Sequence, residues 1–252
     1  MILDRFRIDG QVALVTGGTK GIGKAIAMAL AEAGADIAVV SRSPQQSIEG
    51  AVLALGRRYM HHPADLTKRE QTRNVVPAVV KEMGDVNILV NNAGIIRRSP
   101  AAEYSESDWD ATIEIDLTAA LILCQAAGRI MLKKGRGKII NIASVLAFQG
   151  GLNVTAYASA KHGVVGLTRA LANDWASKGV NVNALAPSFF LTDLTEPLQN
   201  DPERSKSITS RTPAGRWGVP DDVAGAAVFL ASPASDFVHG VILPMDGGWM
   251  AW

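Results

Sequence analysis

The chain has 252 residues, 48% hydrophobic and 19% charged, with a formal net charge of +1, which fits a compact soluble domain with one large core and excludes the basic field of a nucleic-acid binder. One cysteine, Cys124, and four histidines without a His-Glu-x-x-His pattern exclude an intrachain disulfide and give no reason to expect a metal. Charges break every apolar run in the first ten residues, so neither a signal peptide nor a membrane anchor is read there and a cytoplasmic protein is expected.

Gln11 to Thr16 reads as a short apolar strand running into Gly17-Gly18-Thr19-Lys20-Gly21-Ile22-Gly23, then an amphipathic helix to about Ala33 closed by Gly34. Strand, glycine turn and helix N-terminus make a pyrophosphate site, because the first N–H groups of a helix have no partner within it. The spacing is Gly-x-x-x-Gly-x-Gly, not the commoner Gly-x-Gly-x-x-Gly. Gly18 to Lys24 also reads as a P-loop, but Ala25 stands where the magnesium-binding hydroxyl belongs, which counts against a nucleotide hydrolase. Asp36 to Ser41 is the second strand, and the residue type at its end selects the adenosine ribose. An acid there would bind the free hydroxyls of NAD. Ser41-Arg42 occupies the place, and Lys20 adds a second cation, so the pattern favours the phosphate of NADP, with ordinary surface cations as the alternative.

Tyr59 to Ala64 is the third strand, ending at Asp65-Leu66, and Val86 to Val90 the fourth, ending in Asn91-Asn92-Ala93-Gly94. Small residues at a carboxyl end let a ligand approach the backbone. Arg97 and Arg98 follow, and a guanidinium fork there matches a carboxylate in two parallel bonds. One long helix is expected from about Glu106 to Lys134, started by Ser105 with Asp108. Lys138 to Ala143 is the fifth strand; it stops on Ser144, and an Ala-rich helix beyond Gly150 and Gly151 carries Tyr157 and Lys161. Val180 to Ala186 is the sixth strand. The segment from about Ser188 to Arg216 is polar and proline-interrupted, with only short helical patterns, and reads as a substrate lid. A helix from Pro220 to Ala231 and a strand from Val238 to Leu243 complete a single α/β domain over residues 1–252, a parallel sheet covered on both faces.

Tyrosine and lysine four apart share one helix face. An ammonium beside a phenol favours the phenolate, and bringing a tyrosine to neutrality takes about 4 kcal/mol, which a lysine and a cationic cofactor together would supply. Such a phenol exchanges a proton with a carbonyl or alcohol oxygen, while Ser144 bonds the oxygen where charge develops.

Thr16-Gly17-x-x-x-Gly21-x-Gly23, Asn91-Asn92-Ala93-Gly94, Ser144 and Tyr157-x-x-x-Lys161 together resemble the short-chain dehydrogenase/reductase family over nearly the whole chain. The resemblance implies a Rossmann-like doubly wound sheet of seven strands, order 3-2-1-4-5-6-7, in a homotetramer, with hydride transfer to or from a nicotinamide. It implies Tyr157 as acid/base, Ser144 on the substrate oxygen, and Lys161 on the nicotinamide ribose. Asp65 and Leu66 would flank adenine, Asn92, Ala93 and Gly94 would line the cofactor, and Pro187, Phe190 and Thr192 would lie at the nicotinamide end. Asp116 stands where the family usually has a catalytic asparagine, and Ser188 where a glycine usually follows Pro187; a positive φ there would strain the serine. Asn91 to Arg98, Phe148 to Gly151, Pro213 to Gly218 and Asp246 to Trp249 resemble the gluconate 5-dehydrogenase and 2-dehydro-3-deoxy-D-gluconate 5-dehydrogenase subgroup. That implies a sugar-acid substrate, placed on Arg98, Gln149, Ser144 and Tyr157. An NAD-dependent enzyme, a 3-oxoacyl-carrier reductase and a non-catalytic dinucleotide-binding protein stay open as alternatives.

Overall fold

The computed structural model describes residues 1–43 and 46–251. Its centre is one seven-stranded parallel sheet in the order β3-β2-β1-β4-β5-β6-β7. The strands are β1 Val12–Thr16, β2 Asp36–Ser41, β3 Tyr59–Pro63, β4 Ile88–Asn91, β5 Gly137–Ile142, β6 Val180–Pro187 and β7 Ile242–Met245. The main helices are α1 Gly21–Glu32, α2 Gln46–Ala54, α3 Arg69–Met83, α4 Glu106–Ile113, α5 Ala119–Lys134 and α6 Thr155–Trp175. After β6 come the short α7 Glu196–Gln199, α8 Pro202–Arg211 and α9 Ala224–Ala231.

Strand side chains alternate between faces, so two cores form back to back. Ala13, Val15, Ile88 and Val90 face Ile26 and Leu30 of α1 and Leu230 of α9. Val12, Leu14 and Leu89 face Val75 and Val79 of α3 and Leu123 and Met131 of α5. Burial on both faces explains why the strands read as continuous apolar runs. The chain leaves β1 outward to β2 and β3 and returns to β4 on the other side of β1. The carboxyl ends of β1 and β4 therefore open a crevice at the topological switch point.

Three stretches differ from the sequence expectation. The long helix is interrupted by a π turn, Glu114–Thr118, that carries the buried Asp116. Its outer parts match the expected bounds, and the run Glu106–Lys134 is long and apolar enough to span a membrane by length and composition, but Leu123, Cys124, Ala127 and Met131 are buried in the domain core. The last strand begins at Ile242, not Val238, because the amides of Asn181 and Asn183 each bond the Val238 carbonyl at 2.9 Å and Gly240 turns the chain at φ 69°. The segment after β6 is more regular than expected: Asp201 caps α8 by accepting the Arg204 N–H at 3.0 Å, with Pro202 in the first turn.

Candidate active site

Strand ends build the site. The Thr16 hydroxyl, at the end of β1, accepts the main-chain N–H groups of Asn92 and Ala93 at 2.9 and 3.0 Å, and the Asn92 amide returns a bond to the Thr16 carbonyl at 2.9 Å. The turn after β4 is thus stapled to the root of the glycine loop. Gly17 and Gly21 have φ of 64° and 53°, and a Cβ on Gly23 would lie 2.3 Å from the Gly17 carbonyl oxygen. The loop needs its glycines for conformation and for close packing. No side chain caps α1, whose N-cap is Lys20, so its first N–H groups are left for an anion.

A cleft of about 1060 Å³ runs from this loop across the sheet ends, ample for a dinucleotide with a small substrate. Gly17, Thr19, Lys20, Gly21, Ile22, Gly23, Ser41, Arg42, Asp65, Leu66, Asn92, Ala93 and Gly94 line one side. Asp116, Ser144, Gln149, Tyr157, Lys161, Pro187, Phe190, Thr192 and Arg98 line the rest, so every residue given a cofactor, catalytic or substrate role from the sequence borders this one space. Several have partners that spacing did not show. Lys20 Nζ pairs with Asp193 at 2.6 Å across the cleft. The Ser41 hydroxyl donates to the Ser43 carbonyl at 2.7 Å, and Asp65 accepts the Thr67 hydroxyl at 2.7 Å, which holds its carboxyl below the ordinary range. Ser188 carries no positive φ, so the strain considered for it does not arise; among the described residues Asn153, at φ 60°, is the non-glycine that does.

Tyr157 and Lys161 lie one turn apart on α6, both buried, with Lys161 Nζ 5.3 Å from the centre of the tyrosine ring. Nζ donates to the Ile142 carbonyl at 2.9 Å and stands 3.3 Å from Asp116 Oδ2. Asp116 Oδ1 accepts the Ile95 N–H at 2.8 Å. Burial pushes the Tyr157 phenol above its ordinary pKa; Lys161 pulls it down, Asp116 pushes it up, and Ser144 and Arg98 pull it down. The sequence expectation joins Lys161 with a cationic cofactor, and Lys161 by itself leaves the phenol above its ordinary pKa. Lysine acts with the expected sign, but Asp116 cancels part of its field and burial outweighs the rest. Burial alone would lower the Lys161 pKa, yet Asp116 and Tyr157 hold it above its ordinary value.

Sequence reasoning did not weigh several residues that shape this floor. Asn91 donates to Asn141 at 2.9 Å, and Asn141 donates to Thr168 at 2.9 Å, a buried polar chain tying β4, β5 and α6 together. Amides inside otherwise apolar strands were the available signal, because a buried amide demands partners. Trp249, Arg204 and Arg211 also border the cleft; Trp249 ends the Asp246–Trp249 stretch without having been given a place in the site, and the two arginines are brought there by the fold alone.

A family model described as Enoyl-(Acyl carrier protein) reductase matches residues 17–250. The chain is 48% identical over 253 residues, all of both chains, to a 2-dehydro-3-deoxy-D-gluconate 5-dehydrogenase of Dickeya dadantii. The chain belongs to the short-chain dehydrogenase/reductase family. A crystal structure from Beutenbergia cavernae, described as an NAD(P)-dependent gluconate 5-dehydrogenase with NADP at low occupancy, matches with TM-score 0.95 and 46% identity, covering 98% of this chain and 100% of that one. A gluconate 5-dehydrogenase from Burkholderia cenocepacia, in complex with NADP and tartrate, matches with TM-score 0.95 and 40% identity over the full length of both. As a short-chain dehydrogenase/reductase the protein is an NAD(P)-dependent oxidoreductase working between an alcohol and a carbonyl. The nucleotide-hydrolase alternative falls away, and Ala25, where a P-loop has its hydroxyl, is a buried residue of α1.

Proposed function

We propose that the protein interconverts a secondary alcohol and a ketone of a sugar acid, of the gluconate or 2-dehydro-3-deoxygluconate type, with NADP(H). The observation that carries this is one cleft holding the glycine loop, Arg42 and the buried Ser144, Tyr157 and Lys161 set together. Its relatives' names supply the sugar acid, and crystal structures from Beutenbergia cavernae and Burkholderia cenocepacia supply NADP. The chain's own residues fit that cofactor: the uncapped start of α1 suits the pyrophosphate, and Arg42, which makes no ion pair among the described residues, suits a ribose phosphate. Lys20 would contribute there on leaving Asp193. Asp65 and Leu66 would flank the adenine, Asn92, Ala93 and Gly94 would line the middle, and Lys161 would hold the nicotinamide ribose. Pro187, Phe190 and Thr192 close the nicotinamide end.

When bound, the cofactor would supply or take up the hydride. In reduction Tyr157 gives its proton to the carbonyl oxygen as that oxygen gains charge, and Ser144 donates a hydrogen bond to the same oxygen. In oxidation the Tyr157 phenolate takes the alcohol proton. Lys161, with its positive charge on the Ile142 carbonyl and Asp116, stabilises that phenolate. Arg98 and Gln149 take the acid end and a hydroxyl. Residues 188–216 form the lid, and the enzyme works in the cytoplasm as a homotetramer, with the partly exposed Trp109 of α4 and Leu121 of α5 at a subunit contact. A screen of keto sugar acids and neutral ketones, with NADPH consumption as the readout, tests the reading. Turnover of neutral ketones alone would sink it.

A further inference from the structure

We propose that the lid helix supplies half of a carboxylate subsite: Arg204 and Arg211 of α8, which line the same cleft as Arg98, hold the acid end of the substrate. This rests on the sugar-acid reading. At about 100° per residue, positions 204, 208 and 211 fall on one helix face. The middle residue, Ile208, is 1% exposed and packs with Val145, Trp217 and Trp249, which turns that face toward the site. Arg204 and Arg211 flank it and both border the cleft.

The guanidinium of Arg211 lies 4.0 Å over the Trp249 ring. Such stacking holds the planar fork in one orientation and reduces what is lost when it binds. Two acids that line the cleft are already engaged: Asp193 pairs with Lys20 at 2.6 Å, and Asp201 caps α8. Arg98 donates to the Leu194 carbonyl at 3.3 Å, so wall and lid meet at this cation. Among the described residues none of Arg98, Arg204 and Arg211 forms an ion pair, whereas the neighbouring Arg97 is matched to Asp108 at 3.4 Å. Three cations that line one cleft without a counter-charge favour an entering carboxylate, which gains charge-assisted bonds. The geometry of the substrate agrees. Tyr157 and Ser144 lie buried on the floor of the cleft, so an open-chain sugar acid reacting at a carbon remote from its carboxylate directs the acid outward.

The test compares kcat/KM, by NADPH consumption, for a keto sugar acid and its uncharged amide. Arg204→Gln and Arg211→Gln are each expected to lower the acid-to-amide ratio by about tenfold or more, equivalent to about 1.4 kcal/mol. Arg211→Lys, which keeps the charge and loses the stacked fork, should fall between wild type and Arg211→Gln. Cofactor fluorescence titration verifies that each variant is folded. A wild-type enzyme that prefers the acid, with a ratio that neither glutamine substitution moves, overturns the subsite alone. A wild-type enzyme indifferent to the carboxylate overturns both the subsite and the sugar-acid reading.

Discussion

Asp116 Oδ2 stands 3.3 Å from Lys161 Nζ, and both side chains are closed off from solvent. The carboxylate sits at a position where family resemblance leads one to expect asparagine, and it shares the lysine's charge with the phenol of Tyr157. The groups whose charge or hydroxyl acts on that phenol are Lys161 on its own helix, Asp116 on the π turn, Arg98 after β4 and Ser144 after β5. Burial and, after it, Asp116 oppose ionisation of the phenol, so the Tyr157 pKa lies above its ordinary value.

Asp116→Asn removes one negative charge beside Tyr157, which lowers the phenol pKa. Alcohol oxidation needs the phenolate, so the acid limb of its kcat/KM profile should move to lower pH. The amide keeps an oxygen for the Ile95 N–H, now at 2.8 Å from Asp116 Oδ1. A full pH series in the oxidative direction checks the shift, and an unmoved or alkaline-shifted limb would show that the carboxylate does not act on Tyr157.

Gly23→Ala should damage the cofactor site. The added Cβ would sit 2.3 Å from the Gly17 carbonyl oxygen and 2.4 Å from Asn92 Nδ2, forcing the Gly17 backbone to move and displacing the Asn92 amide from its bond to the Thr16 carbonyl. We expect NADPH affinity to fall at least about tenfold, or 1.4 kcal/mol, read by fluorescence titration. Wild-type affinity would mean that the loop deforms freely.

Arg42→Asp should reverse the cofactor preference. A charge-assisted bond from the guanidinium to the ribose phosphate contributes about 1.5–3 kcal/mol, and a carboxylate in its place accepts the ribose hydroxyls of NAD. The ratio of kcat/KM for NADPH and NADH measures it. Equal efficiency with both cofactors in the unmodified enzyme would remove Arg42 and Lys20 from the phosphate site.

Much of the fold was legible in the sequence because the central strands are buried on both faces and read as apolar runs; β1, with all five residues buried, is the plainest case, whereas the edge strand β3, Tyr59–Pro63, has one buried residue. The ends of elements were less legible. Val238 is apolar and reads as strand, but Asn181 and Asn183, more than fifty residues away, claim its carbonyl. The π turn at Glu114–Thr118 has no compositional mark, because Glu114 and Asp116 continue the polar composition of α4 before the apolar α5 begins. At the site, Tyr157 and Lys161 are near in sequence and visible by spacing. The Asp116 contact, the Lys20–Asp193 pair and the cleft-facing Arg204 and Arg211 depend on chain segments that only the sheet topology brings together.

Arg98→Met should raise KM for a sugar acid by at least about tenfold, or 1.4 kcal/mol, against a neutral ketone of similar size. The structure gives Arg98 a second duty, its bond to the Leu194 carbonyl at 3.3 Å, so both substrates will lose something through the lid. An equal loss for the two substrates would make the arginine a lid support and not a carboxylate ligand.

The most direct measurement is the single-turnover rate of NADPH oxidation by a keto sugar acid in wild type and in Tyr157→Phe. Tyr157 is the buried group from which the carbonyl oxygen is to receive its proton, and its ring, 8% exposed, still packs as phenylalanine. Loss of the hydroxyl removes the general acid, an effect of about 10²–10⁴-fold, while fluorescence titration should show cofactor binding retained. A phenylalanine variant that keeps more than about a tenth of the wild-type rate, on the same general-acid scale, would contradict the assignment of proton transfer to Tyr157.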